Sequence, residues 1–161
     1  MCSSDLAAEL NSVIAGYSAN ANAQVEGLTA CLTSRAIFNS ERGSDRSLVV
    51  ADASRALDRI PVRAGTLSTR AYLLSLLAET HTQLGDFHEA IPRFQQALRL
   101  LEDSGQGNLS VSRTVRGGLS MALSEAGQTQ AALNAALANF ELSVRDNLSY
   151  SRPAEIGRAH V

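Results

Sequence analysis

The most informative absence in this sequence is lysine. The chain has 161 residues, and all 14 residues counted as lysine or arginine are arginine. Phosphate-loop nucleotide hydrolases, protein kinase catalytic domains and Schiff-base enzymes each need a lysine, so these classes are excluded. Tryptophan is also absent, and the chain has only seven aromatic residues and three prolines, whereas alanine and leucine together supply 47 residues. This balance favours helices over sheets.

The two ends of the chain are related at the DNA level. Residues 1–6 can be read from GTGTGCTCTTCCGATCT, and the reverse complement of this string, read in a shifted frame, encodes residues 155–160. The string resembles the adapter used in short-read library preparation. We therefore expect residues 1–6 and 155–161 to be translated adapter, with the natural chain cut at both sides, and we exclude them from the fold prediction.

Charge and cysteine content indicate which partners and which cell compartment to expect for the remaining residues. The net charge is −2, which gives no basic surface for nucleic acid or for an anionic membrane, so neither is expected as a partner. No apolar run approaches the roughly 18 residues of a membrane span, and no secretory signal is visible. Cys31 is the only cysteine outside the excluded ends. A single thiol cannot form an internal disulfide, so we expect a cytoplasmic protein, and the composition is typical of bacterial GC-rich DNA.

A repeat of about 42 residues runs through the chain. Gly127 lies 42 residues after Gly85, and residues 54–60 resemble residues 95–101 at a spacing of 41. This periodicity predicts three units of two helices each. We place a weak unit at residues 7–62, the clearest unit with its linker at 63–107, and a third unit at 108–148.

The clearest unit carries the signals of a helical hairpin. Apolar residues at three-and-four spacing predict a helix over 67–84, with one buried stripe of Tyr72, Leu73, Leu76, Leu77 and Leu84. Gly85 is expected to end this helix in the left-handed conformation. Asp86, with Glu89 three residues later, predicts a capping box at the start of the next helix.

The other units show weaker helix signals. We predict helices over 23–42 and from Asp45 or Ser47 to Ile60 in the first unit, after an initial helix over 6–17. In the third unit, Ser110 or Ser112 is expected to cap a helix that closes at Gly127, and a last helix is expected over about 129–145.

At these residues the chain resembles the tetratricopeptide repeat family. The family pattern is met in the clearest unit by Leu74, Leu77, Ala78, Ala90, Phe94 and Ala97. The departures are His81 in place of an aromatic residue and Glu102 in place of proline. A spacing near 42 exceeds the usual 34 and is similar to the long-repeat variant. The resemblance implies an all-α fold: an α-solenoid of about three antiparallel helix pairs that forms a right-handed superhelix.

The resemblance also implies a function without catalysis. In this family the first helix of each repeat lines a concave groove that binds a peptide or protein segment, so we expect a scaffold-like binding module with no cofactor. The ligand-facing positions map to Tyr72, Ser75, Glu79, Thr82, Thr114, Met121 and Ser124, with Gly117 between them. Tyr72 and Met121 fit a buried core stripe equally well. The lysine-dependent carboxylate clamp of some members is excluded because lysine is absent.

Two alternatives stay open from the sequence. The array could be the regulatory or sensory part of a larger bacterial transcription regulator or serine/threonine kinase, in which case its partner would be intramolecular. An enzyme is the second alternative, but its residues are hard to find. His88 and Glu89 begin a zinc-protease pattern, yet Pro92 stands where the second histidine must be, so no metal site is expected.

Overall fold

The computed structural model describes residues 2–19, 25–41, 43, 45–107 and 110–156. Within these ranges the chain forms α-helices, one 3-10 turn at Ala64–Thr66 and no strand. The helices are α1 (Cys2–Ala19), α2 (Val25–Glu41), α3 (Arg46–Arg59), α4 (Leu67–Gln83), α5 (Phe87–Asp103), α6 (Ser110–Glu125) and α7 (Thr129–Ile156). The predicted all-α helical repeat is confirmed. The last helix extends beyond its predicted end at residue 145.

The helices pack as consecutive hairpins. Helix α2 packs against α3, α4 against α5, and α6 against α7. Successive hairpins also touch, because α3 contacts α4 and α5 contacts α6. Three residues join α4 to α5, and so short a connection makes the two helices antiparallel. The first helices of the last two hairpins, α4 and α6, touch each other directly.

Equivalent glycines end the first helix of two successive hairpins. Gly85 has φ +76° and Gly127 has φ +75°, a left-handed conformation that glycine adopts without a steric penalty. After Gly85, the Asp86 amide donates to the His81 carbonyl over 2.9 Å, which is the long hydrogen bond of a Schellman motif. The Gln128 amide makes the same bond to the Leu123 carbonyl over 2.9 Å. The predicted helix ends are therefore confirmed.

The residues predicted to cap the helix starts agree with the structure in part. Asp45 caps α3, because its side chain accepts hydrogen bonds from the amides of Ser47 and Leu48. Asp86 is the N-cap residue of α5, as predicted, but its side chain makes no capping bond. It lies 3.2 Å from His81 Nδ1 instead, so the predicted capping box is absent. Ser110 is the first residue of α6, and Ser112 lies within the helix as its third residue.

Helix α4 is buried on two sides, which corrects the single stripe predicted from the sequence. Leu73, Leu76 and Leu77 pack with apolar residues of α2 and α3 in one cluster. The other side of α4 packs with α5 and α6, through Ala71, Leu74 and Ala78. Tyr72 and Leu84, predicted to be in the stripe, are 40% and 54% exposed. The first helix of the middle hairpin thus holds two cores together.

Candidate functional site

A pocket of about 250 Å³ lies between α4 and α6. We call it the α4–α6 pocket, and its lining residues are Tyr72, Ser75, Leu76, Glu79, Val111, Thr114 and Val115. The structure therefore brings together four of the positions predicted to face a ligand: Tyr72, Ser75, Glu79 and Thr114. They come from the first helices of two successive hairpins.

Helical geometry explains why these side chains share one pocket. In α4 the lining residues are spaced by three, four and seven positions from Tyr72, so they lie along one face of the helix. In α6 the spacing from Val111 is three and four positions, which again defines one face. Because α4 and α6 are in contact, the two faces meet as opposite walls.

Glu79 is the charged group of the α4–α6 pocket. It is half-buried, and this burial raises the pKa of its carboxyl above the ordinary value of 4.5. Among the side chains that the structure describes, no arginine or histidine forms an ion pair with Glu79. A desolvated carboxylate without a cationic partner is a favourable position for a positively charged group from outside.

Tyr72 provides an aromatic wall beside this carboxylate. Its side chain is 40% exposed, and partial burial raises the pKa of its phenol. The negative charges of Glu41 and Glu79 raise this pKa further. Glu41 belongs to α2 and was not predicted from the sequence as part of the site, because its distance in the chain gives no sign of its approach to α4. The surroundings of Tyr72 are therefore acidic.

The hydroxyl groups of the pocket are engaged by nearby backbone carbonyls. Ser75 is buried, and its hydroxyl donates to the Tyr72 carbonyl over 2.8 Å. Thr114 is exposed, and its hydroxyl donates to the Ser110 carbonyl over 3.3 Å. Because each hydroxyl already donates its proton, its oxygen can still accept a hydrogen bond.

Three predicted positions do not line the α4–α6 pocket. Thr82 is buried, and its hydroxyl donates to the Ala78 carbonyl over 2.8 Å. Met121 and Ser124 lie further along α6, and both are exposed. Met121 is 52% exposed, so the alternative core position is wrong for it, as it is for Tyr72.

Sequence reasoning missed the apolar part of the lining. Leu76 was predicted only as core, and Val111 and Val115 were not singled out. The signal for the two valines was their spacing of four residues on α6, but their partner helix could not be read from that spacing. Their side chains give the pocket an apolar base next to Glu79.

The residues in and near the incomplete zinc-protease pattern make ordinary structural contacts. Within the described ranges, no group of three histidine, cysteine or acidic side chains could hold a metal ion. His81 pairs with Asp86, and Glu89 forms an ion pair with Arg93 one turn later. In the part of the chain described by the structure, no helix has the length and apolar character needed to cross a bilayer.

Stacked helical hairpins and a pocket between successive first helices define an all-α helical repeat protein. Residues 69–138 match the family model of the tetratricopeptide repeat, and this segment covers most of α4, all of α5 and α6, and the first part of α7. Repeats of this family generally mediate interactions between proteins. No curated protein and no solved structure matches the chain significantly.

Proposed function

We propose that the chain is a non-catalytic interaction module that binds a peptide or protein segment across α4 and α6. The single observation that supports this most strongly is the half-buried Glu79, which has no cationic partner among the described residues. A pocket of about 250 Å³ has room for one side chain of a bound segment. Lysine or arginine is the side chain that the pocket favours.

The contacts of such a side chain follow from the lining. Its aliphatic stem would lie against Tyr72 and Val115, and its charged end would reach Glu79. The exposed tyrosine ring adds a cation–π attraction and a rigid apolar contact, two features that are frequent in binding surfaces. An intramolecular segment of a longer protein would use the same contacts. The regulatory alternative therefore also places a basic side chain in this pocket.

A peptide selection tests the proposal. A random peptide library displayed on phage is selected on the immobilised full chain, and the enriched peptides are titrated in solution by fluorescence polarisation. We expect enrichment of peptides with a basic residue and loss of their binding in Glu79→Arg. The side chain of Glu141 is exposed on α7 away from the pocket, so Glu141→Arg is the matched control and should bind normally.

Thr82 is unsuited to this test despite its predicted role. Its side chain is 5% exposed, so an arginine there would disturb packing as well as binding. Thr114→Arg is the better second variant, because Thr114 is exposed at the wall opposite Glu79. Normal peptide affinity in both folded variants, Glu79→Arg and Thr114→Arg, would contradict the proposed site.

A further inference from the structure

A second and larger pocket lies where α2 meets the connection between α3 and α4. Its volume is about 630 Å³, within the range of roughly 300–1,000 Å³ that is usual for small-molecule sites. We call it the α3–α4 loop pocket. Its described lining residues are Thr29, Ala30, Thr33, Ser34, Arg59, Ile60, Pro61, Arg63, Thr66 and Thr69. The two pockets share no described lining residue.

Among the described side chains that line this pocket, the charge is entirely positive. Arg59 and Arg63 belong to this lining, and no described aspartate or glutamate does. The Arg59 guanidinium donates only to the Arg55 carbonyl, over 3.0 Å, and neither arginine pairs with a carboxylate among the residues the structure describes. Two guanidinium groups at one pocket without a counter-charge favour a bound anion.

Two hydroxyl groups add hydrogen-bond donors to the same pocket. Ser34 and Thr69 are exposed, and neither hydroxyl is engaged by another described residue. The Thr66 hydroxyl differs, because it donates to the backbone carbonyl of Pro61. The free donors therefore come from α2, α4 and the arginines, and together they suit an oxyanion with several acceptor oxygens.

The rest of the lining is apolar. Ile60 is buried at 8% exposure, and Pro61 and Ala30 complete an apolar wall next to the arginines. A fully hydrated inorganic ion would leave this wall uncovered. An organic anion with a short apolar body would cover it and gain the free energy of apolar burial as well.

We propose that the α3–α4 loop pocket binds a small amphiphilic organic anion. The anionic group, a carboxylate or a phosphate ester, sits against Arg59 and Arg63, and its apolar body lies on Ile60 and Pro61. This binding is separate from the peptide site, because the described linings of the two pockets have no common residue and carry opposite charge.

The test uses the full chain and four defined probes. Octanoate and octyl phosphate carry both features, acetate lacks the apolar body, and octylammonium carries the opposite charge. Binding is followed by amide shifts in nuclear magnetic resonance spectra. We expect octanoate or octyl phosphate to bind with shifts at Thr33 and Thr69, and the ratio of their affinities identifies the carboxylate or the phosphate as the preferred group.

Variants make the assignment specific. We expect Arg59→Gln with Arg63→Gln to weaken binding of the better probe by on the order of tenfold or more. Arg99→Gln is the matched control, since Arg99 is an exposed arginine of α5 outside this pocket. Circular dichroism verifies that the helices of each variant are intact. Independently of any variant, rising salt concentration should weaken octanoate binding.

Three results would overturn the proposal. The first is equal binding of octylammonium and octanoate, which would mean that the arginines play no part. The second is equal binding of acetate and octanoate, which would remove the role of the apolar wall. The third is unchanged affinity in the folded double variant. None of these results bears on Glu79, so failure here is distinguishable from failure of the peptide site.

Discussion

The backbone of Gly118 in α6 lies directly against the aromatic ring of Phe94 in α5. A Cβ atom placed on Gly118 would lie 2.7 Å from both Cε1 and Cζ of that ring. Phe94 is completely buried at 0% exposure, so its ring has no space into which it could move. Glycine is therefore required at residue 118 for α5 and α6 to approach this closely.

Gly118→Ala is accordingly expected to destabilise the protein by about 2 kcal/mol, because an extra methyl group is forced into a packed core. The adjacent Gly117→Ala is the matched control. Its Cβ would meet nothing nearer than the Asn139 side chain at 3.8 Å, so the better helix former should raise stability by up to about 1 kcal/mol. Urea unfolding measures both. Equal effects of the two substitutions would contradict the close contact.

The ion pair between Arg35 and Asp52 ties α2 to α3. Arg35 Nε and Nη2 donate to the two carboxylate oxygens of Asp52 over 2.6 and 2.7 Å, and Nη1 donates to Asn11 Oδ1 of α1. Asp52 is 1% exposed. Asp52→Ala leaves a partly buried guanidinium without its counter-charge, so we expect a loss of about 3 kcal/mol of unfolding free energy.

The matched control for that substitution is Asp58→Ala, at an exposed residue of the same helix. We expect it to change stability by no more than about 0.5 kcal/mol. The double variant Arg35→Met with Asp52→Ala should be more stable than Asp52→Ala alone, because it removes the unpaired charge. A double variant that is less stable than Asp52→Ala would show that the pair does not act as a unit.

The left-handed turn after α4 depends on Gly85. Any other residue at φ +76° brings its Cβ close to the backbone carbonyl, so we expect Gly85→Ala to destabilise the protein by about 1 kcal/mol. Gly65→Ala is the control, because Gly65 has no positive φ and its added Cβ would meet nothing within 4 Å. Thermal unfolding should show a lower midpoint for the first variant and an unchanged or higher one for the second.

Glu79 gives both stability and binding a defined pH dependence. Because burial raises the pKa of this carboxyl in the folded state, the folded protein keeps the proton to a higher pH than the unfolded chain. The stability contributed by the protonated form is therefore present below pH 4.5 and is lost as the pH rises through the folded pKa. The difference in unfolding free energy between Glu79→Gln and wild type should therefore favour the variant more at pH 7 than at pH 4.

Urea midpoints of both proteins at the two pH values measure this difference, with Glu141→Gln as a control for the loss of one exposed charge. Basic peptides selected on the wild-type chain should bind more weakly at pH 4, which lies below the raised pKa of Glu79, than at pH 7. A reversed order for either the stability or the affinity would mean that Glu79 is not the desolvated carboxylate of the pocket.

Part of the α4–α6 pocket was predictable from the sequence. The family resemblance pointed to Tyr72, Ser75 and Glu79 on α4 and to Thr114 on the next first helix, and the three residues of α4 share one helix face. The same mapping also gave Thr82, which the structure buries. A position in a repeat pattern does not state how deeply neighbouring helices cover it, and Glu41 approaches Tyr72 only through the packing of α2.

The local structure of this protein follows from residues that are close together in the sequence. Period, capping residues and turn glycines act within a few residues of the chain, so the helices and their ends at Gly85 and Gly127 follow from neighbours in sequence. Which helix faces are buried depends instead on how the helices pack against each other. Helix α4 packs on both sides, and this exposes Tyr72 while it buries Leu73 and Leu74 in separate cores. Burial depends on helices distant in the chain, and no local pattern specifies their approach.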